Sequence, residues 1–234
     1  MEVRDYVLVP GAWHGGWCWH PVAKRLRAAG HTAVCLTLPG LGDGDDPVGH
    51  RLADAVDHVV EQVRARELTN VVLVGHSWGG YVITGAAHQL ADRLAEVVYY
   101  NGIVPIAGVS LIEELPPENA ALLRAAIEAS PDGAISPEFE WTTVLMHDAP
   151  EPAQRLLYEL LTPQPGSYFL DALDVGPVTE LGLATRYVLS ENDQVLSPPG
   201  AEFAARLGQP PTSVPGTHES LLTHPAELAA ALLT

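Results

Sequence analysis

Short apolar runs alternate with helical patterns along most of this 234-residue chain. The runs are rich in Val and Leu and lack polar alternation, which is typical of strands buried on both faces. Six segments have this character: 6–11, 31–40, 70–76, 96–102, 185–191 and, more weakly, 211–216. Strand–helix–strand order predicts a mostly parallel sheet with right-handed crossovers. We therefore expect a single α/β domain over residues 1–234, with about six strands flanked by helices.

Helical patterns fill the spaces between these strands. The clearest covers 51–68, where apolar residues recur at the spacing of one helix face. Four further helices are expected over 17–30, 78–90, 198–207 and 224–233.

Residues 103–180, between the fourth and fifth strands, interrupt the alternation of strands and helices. They contain helical patterns over 118–129, 137–147 and 152–161, separated by proline-rich turns. Open α/β sheets bind ligands at the carboxyl ends of their strands, and an insertion at that edge covers such a site. We interpret 103–180 as a helical cap inserted after the fourth strand, not as an independent domain.

Composition excludes several classes of partner. The formal charge of −17 argues against binding to nucleic acid or to anionic membrane surfaces. Two cysteines, Cys18 and Cys35, support neither a disulfide scaffold nor a cysteine-rich metal site. The N-terminus enters a strand pattern without a signal-peptide pattern, and no apolar run approaches the length of a membrane span. A cytoplasmic location is therefore expected.

The stretch GHSWG places Ser77 between a predicted strand and a predicted helix. It matches G-x-S-x-G, in which a serine sits on a strained strand-to-helix turn and needs small neighbours. Gly75, Gly79 and Gly80 supply them, and the amides that open the helix favour developing negative charge. The pattern predicts that Ser77 is a nucleophile.

A serine nucleophile needs a general base that a third group orients. Among ten histidines, His218 follows the last predicted strand, which suits the chain order serine, acid, histidine. The acid is expected after the fifth strand, where SENDQV offers Glu191 and Asp193. A residue two positions beyond the strand can turn back towards a histidine, so Asp193 is favoured and Glu191 is the alternative.

Acyl transfer also requires donors for the oxyanion that forms on the substrate. One donor is expected to be the backbone N–H of Trp78, next to the serine. The other is expected in the glycine-rich loop after the first strand, VPGAWHGGW, where the N–H of Ala12 is the candidate. Trp13 in the same loop is a candidate for contact with the substrate.

The chain resembles the α/β-hydrolase superfamily in four stretches: VPGAWHGGWCWHPVAKRLRAAGH, GHSWGGYV, ENDQV and GTHESLLTHP. It looks most like the small esterases and hydroxynitrile lyases, which include plant methylesterases and salicylate-esterase-like bacterial proteins. The likeness covers the core at both ends of the chain, whereas the cap matches only in size and helical character. The resemblance implies a triad of Ser77, Asp193 and His218, oxyanion donors at Ala12 and Trp78, a pocket between core and cap, and no cofactor or metal.

Some positions depart from this pattern. Most members carry His-Gly after the first strand, where this chain has Pro10 and Gly11. Hydroxynitrile lyases typically have threonine at the position of Gly11 and lysine just after the catalytic histidine, where this chain has Glu219. A glutamate cannot stabilise a departing cyanide as a lysine cation does, so the sequence favours ester hydrolysis.

The leading hypothesis is a serine hydrolase that cleaves a small carboxylic ester, lactone or thioester through an acyl-enzyme. The substrate is expected to be apolar or aromatic, with Trp141 and His147 of the cap beside Trp13 in its pocket. Packing within the cap is the alternative for such cap residues. A homodimer is compatible with the sequence.

Two other classes remain open. One is a lyase, cyclase or eliminase that uses His218 as a general base, because a fold does not fix a function. The other is a small-ligand binding protein that has kept the fold without turnover.

Overall fold

The structure is a computed structural model and describes residues 3–234. Its strands are β1 (Asp5–Val9), β2 (Thr32–Cys35), β3 (Val71–His76), β4 (Leu94–Tyr100), β5 (Ala134–Ile135), β6 (Gln164–Pro165), β7 (Ala184–Ser190) and β8 (Thr212–Val214). Six of them form one parallel sheet in the order β2-β1-β3-β4-β7-β8. The short strands β5 and β6 pair antiparallel away from it. The predicted sheet is confirmed.

Eleven α-helices accompany the strands within residues 3–234. They are α1 (His20–Ala28), α2 (Leu52–Ala65), α3 (Gly79–Leu90), α4 (Leu111–Glu114), α5 (Pro117–Ala129), α6 (Phe139–Leu145), α7 (Glu151–Leu160), α8 (Ser167–Leu170), α9 (Gly200–Arg206), α10 (Ser220–Thr223) and α11 (Pro225–Leu233). Two 3-10 turns cover Gly16–Trp19 and Val178–Leu181. None of these helices is both long enough and apolar enough to cross a bilayer.

The sheet is apolar on both faces because helices cover both. In β3, Val71 and Leu73 belong to the cluster that includes α2 and α3, whereas Val72 and Val74 belong to the cluster of α1 and α11. Successive side chains of a strand point to opposite faces. A strand with helices on both sides therefore needs a continuous apolar run, and this explains the sequence pattern of β3.

Residues 103–180 lie between β4 and β7 and are called the cap segment below; they contain α4 to α8 and the β5–β6 pair. Three of its helices, α5, α6 and α7, lie where helical patterns are found in the sequence. The shorter elements α4, α8, β5 and β6 are additions that the sequence patterns did not indicate.

The carboxyl ends of three strands of the sheet, β3, β7 and β8, bring the predicted site residues to one edge. Ser77 directly follows β3, Asp193 lies three residues after β7, and His218 lies four residues after β8. Strands of a parallel sheet all end at the same edge, so residues far apart in sequence meet there.

Candidate active site

Ser77 occupies a sharp turn that the backbone holds firmly. Its φ of 53° lies in the left-handed region, which is costly for a non-glycine residue. Its N–H donates to the carbonyl of Tyr100 at 3.3 Å, and its own carbonyl accepts from the N–H groups of Gly80 and Ile103, each at 3.0 Å. These bonds fix the serine between β3 and α3 at the carboxyl edge of the sheet.

The two glycines after Trp78 are required by close backbone contacts. A Cβ atom on Gly79 would lie 2.5 Å from the carbonyl oxygen of Pro10, and one on Gly80 would lie 2.0 Å from that of Ile103. The start of α3 therefore packs directly against the ends of β1 and β4. This approach brings the glycine-rich loop after β1 next to the serine.

His218 and Asp193 form a buried hydrogen-bonded pair. The ring Nδ1 of His218 donates to Oδ2 of Asp193 at 2.6 Å, and the two side chains are only 1% and 3% exposed. The other carboxylate oxygen accepts from the N–H groups of Val195 at 2.8 Å and Leu196 at 3.2 Å. A donor at Nδ1 leaves Nε2 of the neutral ring free to accept a proton.

Burial and charge act in opposite directions on this pair. Burial alone lowers the pKa of His218, but the charge and hydrogen bond of Asp193 outweigh it, with a smaller contribution from Glu219, so the pKa is raised. Burial likewise opposes ionisation of Asp193, yet His218 and the two backbone donors bring its pKa below the usual value. The pair therefore favours an ionised aspartate.

Glu191, the other acid considered in the loop after β7, lies apart from this pair. It is exposed, and its N–H donates to the carbonyl of Val214 at 2.9 Å as the sheet ends. The loop turns back only after this residue, so Asp193 is the acid that hydrogen bonds to His218.

A cavity of about 160 Å³ opens beside Ser77, with Ala12 and Trp78 in its wall. The N–H groups of Ala12 and Trp78 donate no hydrogen bond to protein atoms in residues 3–234. The rest of the wall is mostly apolar and comes from both core and cap: Trp13, Ile103, Leu111, Leu115, Leu123, Phe169, Val195 and Leu196.

A second, smaller cavity of about 30 Å³ lies on the His218 side of the serine. Its lining contains polar groups, among them His14, His76 and Glu219, together with Leu145 of α6. All four of these residues are buried. The serine is thus flanked by a larger apolar space and a small polar one.

Of the three residues predicted to contact the substrate, one lines the cavities beside Ser77 and two do not. Trp13 lines both cavities, and the cap segment holds it: its indole N–H donates to Ile135 O and its backbone N–H to Gln164 Oε1, both at 2.9 Å. Trp141 packs behind it, with ring centroids 5.0 Å apart, and lines a different groove against α5. His147 is exposed, and its Nε2 pairs with the carbonyl of Asn192 at 3.0 Å. The structure thus places Trp141 and His147 outside both cavities, contrary to expectation.

Two residues at the end of β4 support His218 and were not singled out in the sequence. The Tyr100 hydroxyl and the Asn101 amide each donate to the backbone carbonyl of His218 at 3.1 Å. Asn101 has a φ of 40° and also pairs with the N–H and hydroxyl of Ser190. The available signal was the asparagine directly after the buried run VVYY, because asparagine is favoured in turns and tolerates a positive φ.

His76, His218 and Glu219 each place one potential metal-ligand atom within 4.8 Å of the others. Both histidines already use one ring nitrogen, since His76 Nε2 donates to the carbonyl of His218 at 3.2 Å. Burial, with the neighbouring histidines, holds the pKa of His76 well below its usual value, so this ring is neutral. The residues form a compact cluster of acid–base groups.

Comparison with known proteins gives consistent matches. A sequence model described as "Alpha/beta hydrolase family" matches residues 6–231. A carbendazim hydrolyzing esterase from Nocardioides sp. (strain SG-4G) is 42% identical over 134 residues, a match that spans 55% of this chain and 55% of the esterase. Methylesterase 18 of Arabidopsis thaliana is 28% identical and covers 100% of this chain and 97% of that protein.

Solved structures also share the architecture. An extracellular alpha/beta-hydrolase from a Paenibacillus species superposes with a TM-score of 0.91 at 23% identity, covering 99% of this chain and 98% of its own. At that level of identity the match shows a common fold.

Proposed function

Because this chain belongs to the alpha/beta hydrolase family, we propose that it is a serine esterase whose triad is Ser77, His218 and Asp193. The observation that carries the proposal is the hydrogen-bonded His218–Asp193 pair at the same sheet edge as a serine on a strained turn. The relatives named above as esterases support the reaction class.

In the proposed mechanism, Ser77 Oγ attacks the ester carbonyl while His218 Nε2 accepts its proton. Asp193 holds the ring in the tautomer with hydrogen on Nδ1 and stabilises the imidazolium that forms. The free N–H groups of Ala12 and Trp78 would donate to the developing oxyanion. His218 then protonates the departing alcohol, and water later releases the acyl group.

The two cavities suggest how the substrate lies. The alcohol must leave beside His218, because that ring protonates it, so the small cavity of about 30 Å³ suits the alcohol part. The acyl part then occupies the cavity of about 160 Å³. An engineered apolar cavity of about 150 Å³ holds benzene, so this space is matched to one aromatic ring or an aliphatic chain of similar size. A methyl ester with such an acyl group is the proposed substrate class.

The cap segment, residues 103–180, acts in this proposal as a lid that shapes the acyl cavity. This segment contributes much of the apolar wall, through Ile103, Leu111, Leu115, Leu123 and Phe169. Burying a ring against them favours binding by the hydrophobic effect, at about 25 cal/mol for each Å² of apolar surface removed from water.

The proposal is tested with a graded panel of methyl and p-nitrophenyl esters of acetate, butyrate, benzoate and 2-naphthoate. We expect the highest kcat/KM with benzoate or butyrate and a marked drop with naphthoate, because two fused rings exceed the acyl cavity. Ser77→Ala is expected to lower kcat by at least about a thousandfold, since the covalent intermediate can no longer form.

Turnover that persists in Ser77→Ala would contradict the proposed mechanism and would favour His218 as a general base in a non-hydrolytic reaction. A folded wild-type protein that cleaves none of these esters would contradict ester hydrolysis itself.

A further inference from the structure

A buried acidic group beside the triad takes no direct part in the proton transfers proposed above. Glu219 follows His218 and is 0% exposed, yet neither carboxyl oxygen has a hydrogen-bond partner within the described residues. Nε2 of the buried His14 is also without a partner in residues 3–234. Buried polar atoms are nearly always hydrogen bonded, and leaving them unsatisfied costs free energy. These three atoms therefore indicate a bound donor.

The facing atoms of His14 and Glu219 cannot satisfy each other when the ring is neutral. Nδ1 of His14 lies 2.7 Å from the carbonyl oxygen of Ala12, and a carbonyl can only accept, so Nδ1 carries the hydrogen. Nε2 of that tautomer is an acceptor, and it lies 3.5 Å from Glu219 Oε1. Two acceptors therefore face each other at a separation too short for a bridging water, and each needs a donor from the adjoining cavity.

The available space limits that donor to a very small molecule. His14 and Glu219 line the cavity of about 30 Å³ that also contains Ser77 and His218. A water molecule needs about 10–15 Å³ measured in this way, so the cavity holds about two. Ring nitrogens of His76 and His218 and a carboxyl oxygen of Glu219 lie within 4.8 Å of one another. A water that donates to two such atoms spans about 4.5 Å between them.

We propose that Glu219 is a positioning residue for the water that hydrolyses the acyl-enzyme, an inference that rests on the proposed esterase function. After the alcohol leaves, one O–H of this water donates to His218 Nε2 and the other to a carboxyl oxygen of Glu219. A lone pair of the water oxygen then points at the ester carbonyl carbon. A second water in the same cavity donates to His14 Nε2, the remaining acceptor.

The step balances without a further reactant. The water oxygen bonds to the carbonyl carbon as His218 Nε2 accepts one water proton, and Ala12 and Trp78 hold the oxyanion. Collapse breaks the bond between that carbon and Ser77 Oγ, and His218 returns the proton to the serine. Glu219 keeps its hydrogen bond throughout and exchanges no proton. Its backbone is fixed for this purpose, since its N–H donates to the carbonyl of Leu145 at 3.3 Å.

The test separates acylation from deacylation in Glu219→Gln, Glu219→Met and the wild type. Stopped-flow mixing with p-nitrophenyl acetate measures the burst of p-nitrophenol and the later steady state. We expect the burst rate to change by less than about threefold and the steady-state rate to fall by about 10- to 100-fold, as for a misplaced reactant. The acetyl-enzyme should then accumulate and be visible by mass spectrometry.

A second measurement is independent of how much variant folds. Hydroxylamine competes with water for the acyl-enzyme, and the ratio of hydroxamate to acid reports only active molecules. We expect this ratio to rise at least about tenfold in both Glu219 variants, because only the positioned water is lost. Glu191→Gln is the matched control, the same change at an exposed residue of the loop after β7, and should leave the ratio unchanged.

An unchanged hydroxamate ratio, or equal losses in the burst and steady-state phases, would overturn the role of Glu219. Failure of the wild type to form any acyl-enzyme would instead overturn the esterase function, so the two failures are distinguishable.

Discussion

At the scale of one residue, burial and a neighbouring charge have opposite effects on the pKa of His218. Complete burial disfavours its charged form, and the adjacent Asp193 carboxylate favours it more strongly, so the pKa is raised. In the proposed mechanism His218 must be neutral to accept a proton, whereas the Asp193 charge that raises its pKa also stabilises the imidazolium that forms. The raised pKa therefore makes His218 a stronger base, and it also means that the ring is protonated and inactive over a wider range of low pH.

The pH dependence of kcat/KM follows from this direction. Activity should fall as pH decreases through the raised pKa of His218, so the acid limb should have its midpoint above the ordinary histidine value of about 6.5. In Asp193→Asn the neutral amide removes the favourable charge, and NMR titration of the His218 ring should then give a lower pKa. A wild-type midpoint below about 6.5, or an NMR value that Asp193→Asn leaves unchanged, would be inconsistent with this account.

The junction between α3 and β4 determines the site at the scale of secondary structure. A Cβ atom on Gly80 would lie only 2.0 Å from the carbonyl oxygen of Ile103. The N–H of Ile103 donates to the carbonyl of Ser77 at 3.0 Å. The backbone of Ile103 therefore connects the helix after Ser77 to the start of the cap segment.

Gly80→Ala should be strongly destabilising, because a backbone oxygen cannot move aside as a flexible side chain can. We expect a loss of about 2–3 kcal/mol in the free energy of unfolding, typical of an overpacked site. For a chain of this size that corresponds to a decrease in Tm of about 4–12 °C, measured by calorimetry.

Gly176→Ala is the control, because a Cβ there meets only Glu180 Oε2, at 3.3 Å. Its unfolding free energy should change by less than about 0.5 kcal/mol. Equal effects of the two substitutions would show that the Ile103 contact does not limit packing.

The parallel sheet and the sequence of its strands along the chain were predictable because Val- and Leu-rich runs are signals that local sequence carries by itself. The placement of Ser77, Asp193 and His218 followed from the same order, since each comes soon after the end of a strand. Elements of two to four residues, such as α4, α10 and β5, are too short to show any periodicity. Their existence depends on tertiary packing.

The substrate contacts and Glu219 were hard to predict for a related reason. Trp141 lies in α6 and His147 lies two residues after it. Trp141 packs against Trp13, and His147 pairs with the loop after β7, and only these tertiary contacts place both side chains away from Ser77. Glu219 in THESLL has the local appearance of a surface residue. Its complete burial requires the loop after β1, the loop after β8 and α6 to meet around it.

At the scale of the whole molecule, 29 acidic residues against 12 basic ones produce a strongly negative field. Such a field repels anions over roughly 10 Å at an ionic strength of 0.1 M and less at higher salt. Hydrolysis of an ester releases a carboxylic acid that ionises at neutral pH, so this field favours departure of the product. It also disfavours entry of any ester that carries a carboxylate.

A pair of esters tests this effect. The kcat/KM for the anionic monomethyl ester of terephthalate should increase several-fold between 10 and about 500 mM NaCl, because salt screens the repulsion. The kcat/KM for neutral methyl benzoate should stay nearly constant, and it serves as the control. Parallel salt profiles for the two esters would rule out electrostatic discrimination.

The order of the site along the chain also sets when activity can arise during synthesis. Ser77 emerges from the ribosome well before Asp193, and His218 follows β8, the strand at one edge of the sheet. A growing chain thus contains Ser77 before the histidine that the proposed mechanism requires, and its strands still lack a neighbour in the sheet. If the proposed mechanism holds, we expect such an intermediate to react little with cellular esters and a product truncated before residue 218 to lack esterase activity. In this proposal, catalytic activity depends on completed synthesis and folding of the sheet.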